Sequence, residues 1–349
     1  MHILVCGGAG FIGSAFIRNY LNNNPDSKII NLDVLTIGSN LENLKDIENN
    51  PNYKFIKDDI RNESVIDGLV KDADVVVNFA AESHVDRSID GPSDFIRTNI
   101  SGTYTLLQKS LCYYQSLTKE DQKSFRFHHV STDEVFGSLN EDDFFTEETP
   151  YDPSSPYSAS KAASDHLVRA WHRTYGLPII ISNCSNNYGP FQFPEKLIPL
   201  MVLNCLQEKP LPVYGTGENI RDWLFVDDHC DAIHKIIEKG EIGETYNVGG
   251  NNEIKNINIV KTICNLLDNI RPSENLKSYQ ELITFVKDRP GHDFRYAIDS
   301  SKLQNKLGWS PKETFETGIR KTIEWYLENI TWWQDIQNNT YQQERLGVL

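Results

Sequence analysis

The stretch His2-Ile-Leu-Val-Cys-Gly-Gly-Ala-Gly-Phe-Ile-Gly13 decides how the rest of the chain is read. A short apolar run ends in closely spaced glycines before apolar residues resume, which reads as strand, tight turn and helix. Gly7, Gly10 and Gly13 let the backbone turn sharply and approach a pyrophosphate, whose charge the free N–H groups and dipole of the following helix offset. A second strand pattern, Lys28-Ile-Ile-Asn-Leu32, ends in Asp33, at the separation of about 20 residues where an acid binds both ribose hydroxyls. A 2′-phosphate would meet a like charge there, and residues 34–38 bring no arginine to attract one. The pattern therefore predicts NAD rather than NADP.

At 349 residues the chain can bury one large core or two lobes. No apolar run approaches the roughly 20 residues of a membrane span, and the first apolar stretch runs straight into the glycine loop rather than a cleavage site. A cytoplasmic location is the expectation. The six cysteines, at 6, 112, 184, 205, 230 and 264, contain no C-x-x-C, so they read as reduced core or near-core thiols rather than a disulfide framework or zinc site. His128 and His129 would point to opposite faces of a strand, so no metal is expected. The formal charge of −15 disfavours nucleic acid and anionic membranes as partners. An anionic small substrate must then be gripped by local basic groups, for which Lys196, Arg221 and Arg289 are the candidates.

Strand and helix patterns alternate for about the first 180 residues. Residues 75–79 and 127–131 read as buried strands, 95–117 as one long helix, and 179–182 as a further strand. A helix opened by Ser155-Pro156 runs to about Tyr175 and is stopped by Gly176 and Pro178. Such alternation predicts an α/β fold with a doubly wound parallel sheet and ligands at the carboxyl ends of its strands. That edge gathers Gly7 to Gly13, Asp33, Asp59, Ala80 to Ser83, Thr132 and Asn186. After about residue 190 proline and glycine become frequent and elements shorten. Residues 1–190 are therefore read as a dinucleotide-binding domain carrying the catalytic residues. Residues 191–349 are read mainly as a smaller substrate-binding lobe, from which some strands and helices return to the first domain. The tail 329–349 is read as a loosely packed extension or an interface.

Two local patterns carry chemistry. Tyr157 and Lys161, four apart, share a helix face with Cβ atoms about 5–6 Å apart. Tyrosine titrates near 10, so a lysine ammonium beside it, with the positive nicotinamide, is expected to favour the phenolate and make it a base for a sugar hydroxyl. Thr132-Asp133-Glu134 sets two carboxylates beside a hydroxyl, which suits elimination of water by an acid and a base. The same triplet also suits a helix or turn cap. The elimination reading requires Asp133 to hold a proton near neutrality while Glu134 does not.

With these motifs the chain resembles the extended short-chain dehydrogenase/reductase family, and within it the dTDP-glucose 4,6-dehydratase branch. The resemblance covers nearly the whole chain. It includes Ala80-Ala-Glu-Ser-His-Val-Asp-Arg-Ser-Ile89, Ser131-Thr-Asp-Glu-Val135, Ser155-Pro-Tyr-Ser-Ala-Ser-Lys161, Asn183-Cys-Ser-Asn-Asn-Tyr-Gly-Pro190, Pro194-Glu-Lys-Leu-Ile-Pro199, Arg221-Asp-Trp223 and Asp288-Arg-Pro-Gly-His-Asp293. Cys6 and Phe136 depart from the threonine and tyrosine usual there. The resemblance implies a Rossmann fold in which Phe11, Ile12, Asp33, Thr36, Asp59, Ile60, Ala80, Ala81, Ser83, Thr98, Tyr157, Lys161 and Asn187 line the NAD site. It assigns Ser83, Thr132, Asn186, Lys196, Leu197, Pro212, Tyr214, Arg221, Asn256, Arg289 and His292 to the sugar nucleotide, with Arg221 at its diphosphate. It further implies dTDP-glucose as substrate, Thr132, Asp133, Glu134, Tyr157 and Lys161 as catalytic residues, and NAD retained between turnovers. A homodimer is implied through the helices around Tyr157 and residues 95–117. A UDP-glucose 4,6-dehydratase, a sugar-nucleotide 4-epimerase, a UDP-glucuronate decarboxylase and a dinucleotide-sensing binding protein are the other readings. The carboxylate pair speaks against the last three.

Overall fold

The computed structural model describes residues 1–140, 142–339 and 341. The strands in chain order are β1 His2–Cys6, β2 Lys28–Asp33, β3 Tyr53–Lys57, β4 Val75–Asn78, β5 Arg126–Thr132, β6 Ile179–Cys184, β7 Asn186–Tyr188, β8 Leu211–Tyr214, β9 Ile220–Phe225, β10 Thr245–Val248, β11 Glu253–Lys255 and β12 Ile283–Val286. Seven of them form one sheet in the order β10-β6-β5-β4-β1-β2-β3, with every pairing parallel. β1 shows why such strands read as continuous apolar runs. Ile3 and Val5 pack on helices Phe11–Asn23 and Val226–Lys239. Leu4 and Cys6 pack on the other side with helices Glu63–Leu69, Thr103–Ser116 and Pro156–Tyr175. A sheet covered on both faces needs apolar side chains at both parities. The expected doubly wound sheet is present, and the strand order reverses between β1 and β4, where such folds bind ligands.

The smaller lobe packs β11-β9-β7 and β12-β8 with helices Leu197–Leu206, Asn256–Ile270 and Phe315–Glu328 around a core that includes Tyr188, Met201, Trp223 and Ile263. β10 and helix Val226–Lys239 follow residue 190 in the chain yet complete the large sheet and one of its faces.

Three local expectations differ from the structure. The long helix over 95–117 is instead helix Pro92–Phe95, a π-helical segment Ile96–Gly102 and helix Thr103–Ser116. The wider turn sits where Gly102 meets Ile60, since a Cβ on Gly102 would lie 2.4 Å from Ile60 Cδ1. Cys112 is exposed on the outer side of its helix, whereas the other five cysteines are buried. The tail is packed rather than loose through helix Ile330–Asn339. Trp333 is buried in the lobe core, and Trp332 Nε1 donates to Asn43 Oδ1 at 2.9 Å. Asn43 in turn donates Nδ2 to the Ala9 carbonyl of the glycine loop at 3.1 Å. The rest of that tail, residues 340 and 342–349, lies outside the described residues. Among the described residues no helix is long and apolar enough to cross a membrane.

Gly7 has φ +81°, and a Cβ there would lie 2.6 Å from the Ala80 backbone nitrogen. Gly7→Ala is therefore expected to destabilise the fold by about 1–3 kcal/mol. Gly38→Ala, with nothing within 4 Å, is expected to leave stability near wild type. Thermal unfolding of the two variants checks the contrast.

Candidate active site

A cavity of about 490 Å³ opens along the carboxyl edge of the large sheet. Its wall includes Gly7, Gly10, Phe11, Ile12, Gly13, Asp33, Thr36, Asp59, Ile60, Ala80, Ala81, Ser83, Thr98 and Asn187. Thr132, Asp133, Glu134, Tyr157, Lys161, Asn186 and Lys196 face the same space. Leu197, Pro212, Tyr214, Arg221, Asn256, Arg289 and His292 are not part of this wall.

At the dinucleotide end, the Gly7 N–H donates to the Leu32 carbonyl at 2.8 Å, which carries the β1–β2 pairing one residue past Cys6, and the Gly10 N–H donates to the Gly7 carbonyl at 3.3 Å, which closes the turn. A Cβ on Gly13 would lie 2.3 Å from the Gly7 carbonyl oxygen, so only glycine lets the first helix pack this close. Asp33 accepts from the Ala9 N–H at 2.9 Å and the Leu35 N–H at 2.8 Å, which fixes its carboxylate beside the loop. Burial raises its proton affinity against those two bonds. A narrow glycine cradle beside a fixed acid fits a dinucleotide with free ribose hydroxyls. Asp59 is engaged by Arg61, whose Nε lies 3.0 Å from either carboxylate oxygen.

Helix Pro156–Tyr175 begins with Ser155 and Ser158 in a reciprocal cap, has Pro156 in its first turn and ends at left-handed Gly176. Tyr157 and Lys161 are both buried on it, and the Phe95 ring meets Tyr157 edge-on at 6.2 Å. Lys161 Nζ donates to the Val130 carbonyl on β5 at 2.8 Å. Thr132 ends that strand. Its Oγ1 accepts from the Glu134 N–H at 3.2 Å and donates to Asp133 Oδ1 at 3.2 Å. The triplet thus caps the short turn Asp133–Phe136 and lines the cavity at once.

The two carboxylates differ in their surroundings. Burial raises Asp133 most, Glu134 and Asp222 add to it, and the combined push carries it well above the ordinary aspartate range. Burial also raises Glu134, but Arg289, Arg221 and Lys196 act against the shift. Opposing effects act on Tyr157. Burial, then the charge of Glu134, pushes its phenol well above 10, while the Thr132 hydrogen bond opposes this. The Lys161 ammonium is itself pulled down by burial.

The remaining basic groups approach from the smaller lobe. Lys196 Nζ donates to the Ser83 carbonyl at 2.9 Å. Arg221 is buried, stacks on Tyr296 at 4.0 Å and donates to the carbonyls of Ile220 at 2.7 Å and Asp293 at 2.8 Å. Asp86 accepts from Tyr214 Oη at 3.1 Å and Arg289 at 3.2 Å. His292 lies 2.6 Å from Asp288, and burial first, then Arg289, pushes it down to about 4. Among the described residues, the buried Asn186 Oδ1, Asn256 Oδ1 and Arg289 Nε meet no partner within the chain. These are groups a polar ligand would satisfy.

The wall also contains residues that sequence reasoning did not single out, among them Arg87, Cys184, Gln192, Phe193 and Glu195. Arg87 pairs with Glu195 at 2.9 Å. Cys184 ends β6, so the rule that ligands sit at strand carboxyl ends reaches it when applied two residues before Asn186.

The family described as GDP-mannose 4,6 dehydratase matches residues 4–322. A dTDP-glucose 4,6-dehydratase of Neisseria meningitidis serogroup B is 57% identical over 99% of this chain and 99% of its own. The chain belongs to this family, among its dTDP-glucose 4,6-dehydratases. A solved dTDP-glucose 4,6-dehydratase from Bacillus anthracis, in complex with NAD, is 47% identical with a TM-score of 0.85, covering 96% of this chain and 99% of that one. The Streptomyces venezuelae enzyme, also with NAD bound, is 43% identical with a TM-score of 0.88, over 96% and 100%.

Because the folded state raises the Asp133 pKa, its contribution to stability is full below the unfolded value of about 3.9 and is lost as pH rises toward the folded value. Asp133→Asn carries no such loss. Its Tm relative to wild type is expected to increase as pH rises above about 4, which calorimetry across pH measures.

Proposed function

We propose that the chain is an NAD-dependent dTDP-glucose 4,6-dehydratase, converting dTDP-D-glucose into dTDP-4-dehydro-6-deoxy-D-glucose and water for deoxysugar biosynthesis. The carrying observation is that Asp133 and Glu134, with different electrostatic surroundings, share one cavity with Tyr157 and Lys161. A hydride-transferring 4-epimerase has no use for that pair.

Tyr157 takes the proton of the glucose 4-hydroxyl, which Thr132 orients by hydrogen bonding, and the Lys161 ammonium supports the phenolate. The 4-ketone so formed acidifies C5–H. Glu134 removes that proton, and protonated Asp133 gives its proton to the departing 6-hydroxyl, so water leaves across C5 and C6. A proton then returns to C5. NAD, when bound, supplies the hydride acceptor for C4, the hydride donor for C6 and a positive ring beside Tyr157. The glycine cradle, Asp33 and the other wall residues would hold it, and a cofactor regenerated in each cycle would have no need to leave.

The sugar nucleotide is read as lying between Ser83, Asn186 and Lys196 on one side and the smaller lobe's Leu197, Pro212, Tyr214, Arg221, Asn256, Arg289 and His292 on the other. In this division residues 1–190 carry cofactor and chemistry, and 191–349 mainly carry substrate recognition. A cytoplasmic homodimer completes the reading.

The test incubates the purified chain with dTDP-glucose and, separately, UDP-glucose, without added NAD. Loss of one water from dTDP-glucose by mass spectrometry is expected. Asp133→Asn and Glu134→Gln are each expected to slow it by about 10²–10⁴-fold. No loss of water from either sugar, even with NAD added, rejects the dehydratase.

A further inference from the structure

Tyr157, Lys161, Asp165 and Arg169 recur every four residues along helix Pro156–Tyr175 and so form one ridge of it. Asp165 is fully buried and stands behind the cavity wall. Hydrogen bonds converge on its carboxylate from three other parts of the chain. Ser131 on β5 and Tyr151 before the helix each donate a hydroxyl to Oδ2 at 2.8 Å. Asn183 on β6 donates Nδ2 to the same oxygen at 3.4 Å and to the Thr132 carbonyl at 3.0 Å. His129 Nε2 lies 3.3 Å from Oδ1, and Arg169 donates to Tyr151 Oη at 2.8 Å.

A carboxylate wholly removed from water is unfavourable unless cations and donors face it. His129 is not such a cation, because burial first, and Lys161 second, push it down to about 4. Burial likewise pushes the Cys184 thiol up to about 12, and it raises the Tyr151 phenol. The full charges facing Asp165 are therefore Lys161 and Arg169. Burial acts to raise the Asp165 carboxyl, but His129, through its 3.3 Å contact and, once protonated, its charge, outweighs it together with Lys161 and Arg169. Reciprocally, burial pulls the Lys161 ammonium down, and Asp165 leads the groups that oppose this.

We propose that Asp165 is a positioning residue for the reaction: its carboxylate is the counter-charge of Lys161, and its bonds to Ser131 and Asn183 fix the Thr132 end of β5 against the helix of Tyr157. The inference rests on the dehydratase reading for the roles of Tyr157 and Lys161.

Asp165→Asn tests it, since the amide oxygen still accepts both hydroxyls while the charge, and with it the acceptor facing His129 Nε2, is lost. Lys161 then gives up its proton at lower pH. The alkaline limb of kcat is expected to move down by about one pH unit and kcat near neutrality to fall about tenfold, with KM for dTDP-glucose unchanged. Asp165→Glu restores the charge and is expected to restore the limb. An Asn variant whose alkaline limb stays at the wild-type pH overturns the proposal even if Tm and kcat fall, because a purely structural role would lower those. If Asp165→Asn does not fold, Ser131→Ala takes its place. Loss of one donor raises the proton affinity of Asp165, so the acid limb of kcat is expected to rise, and an unmoved limb overturns the proposal. Wild-type enzyme runs alongside. Its inactivity on dTDP-glucose overturns the dehydratase reading and this inference together, whereas wild-type turnover with unmoved variant limbs overturns the inference alone.

Discussion

The buried hydrogen bond from Lys161 Nζ to the Val130 carbonyl joins the helix of Tyr157 to the strand of Thr132, and the site is arranged around that joint. The helix is also held at its ends, by the Ser155–Ser158 cap and by Gly176, and in its middle by the bonds of Asp165 to Ser131 and Asn183. Between them it lies against β5 and β6, so a shift of Lys161 would carry Tyr157 away from Thr132. Catalytic groups must keep their separation to fractions of an ångström. A parallel sheet suits this, because its strand ends converge on one edge while both faces are buried and held by packing.

The carboxylate pair illustrates how neighbours in sequence acquire different chemistry. Asp133 and Glu134 are both withdrawn from water, yet only Glu134 has three cations of the smaller lobe and its approach opposing the cost. Thr132 organises both through one hydroxyl, accepting from the backbone of one and donating to the side chain of the other. In the proposed mechanism capping and catalysis use the same set of contacts. Environments that push paired carboxyl groups apart are a general way to obtain an acid and a base from like residues.

What was legible in the sequence is what is local. The glycine loop, Asp33 and the Tyr157/Lys161 spacing are strand-turn-helix and single-turn signals, readable within a few residues. The π-helical insertion at Ile96–Gly102 is not, because one extra residue barely disturbs helical periodicity. Nor are the meetings of distant segments, such as Asp86 with Tyr214 and Arg289, separated by 128 and 203 residues. The balance at Tyr157 has the same origin. Spacing counts the lysine beside the phenol, but only the folded chain shows the burial and the Glu134 charge that act against the phenolate.

Asn43 stands between the chain's beginning and its end, bonded through Nδ2 to Ala9 and through Oδ1 to Trp332, 289 residues later. The glycine loop therefore acquires its last brace only after Trp332 has been synthesised. Contacts of such long range close slowly, because loop entropy must be overcome before they reward the chain. A ribosome-bound chain that has already completed the large sheet holds Ala9 through Asp33 and Asn43 but still lacks the contact that fixes Asn43 from behind.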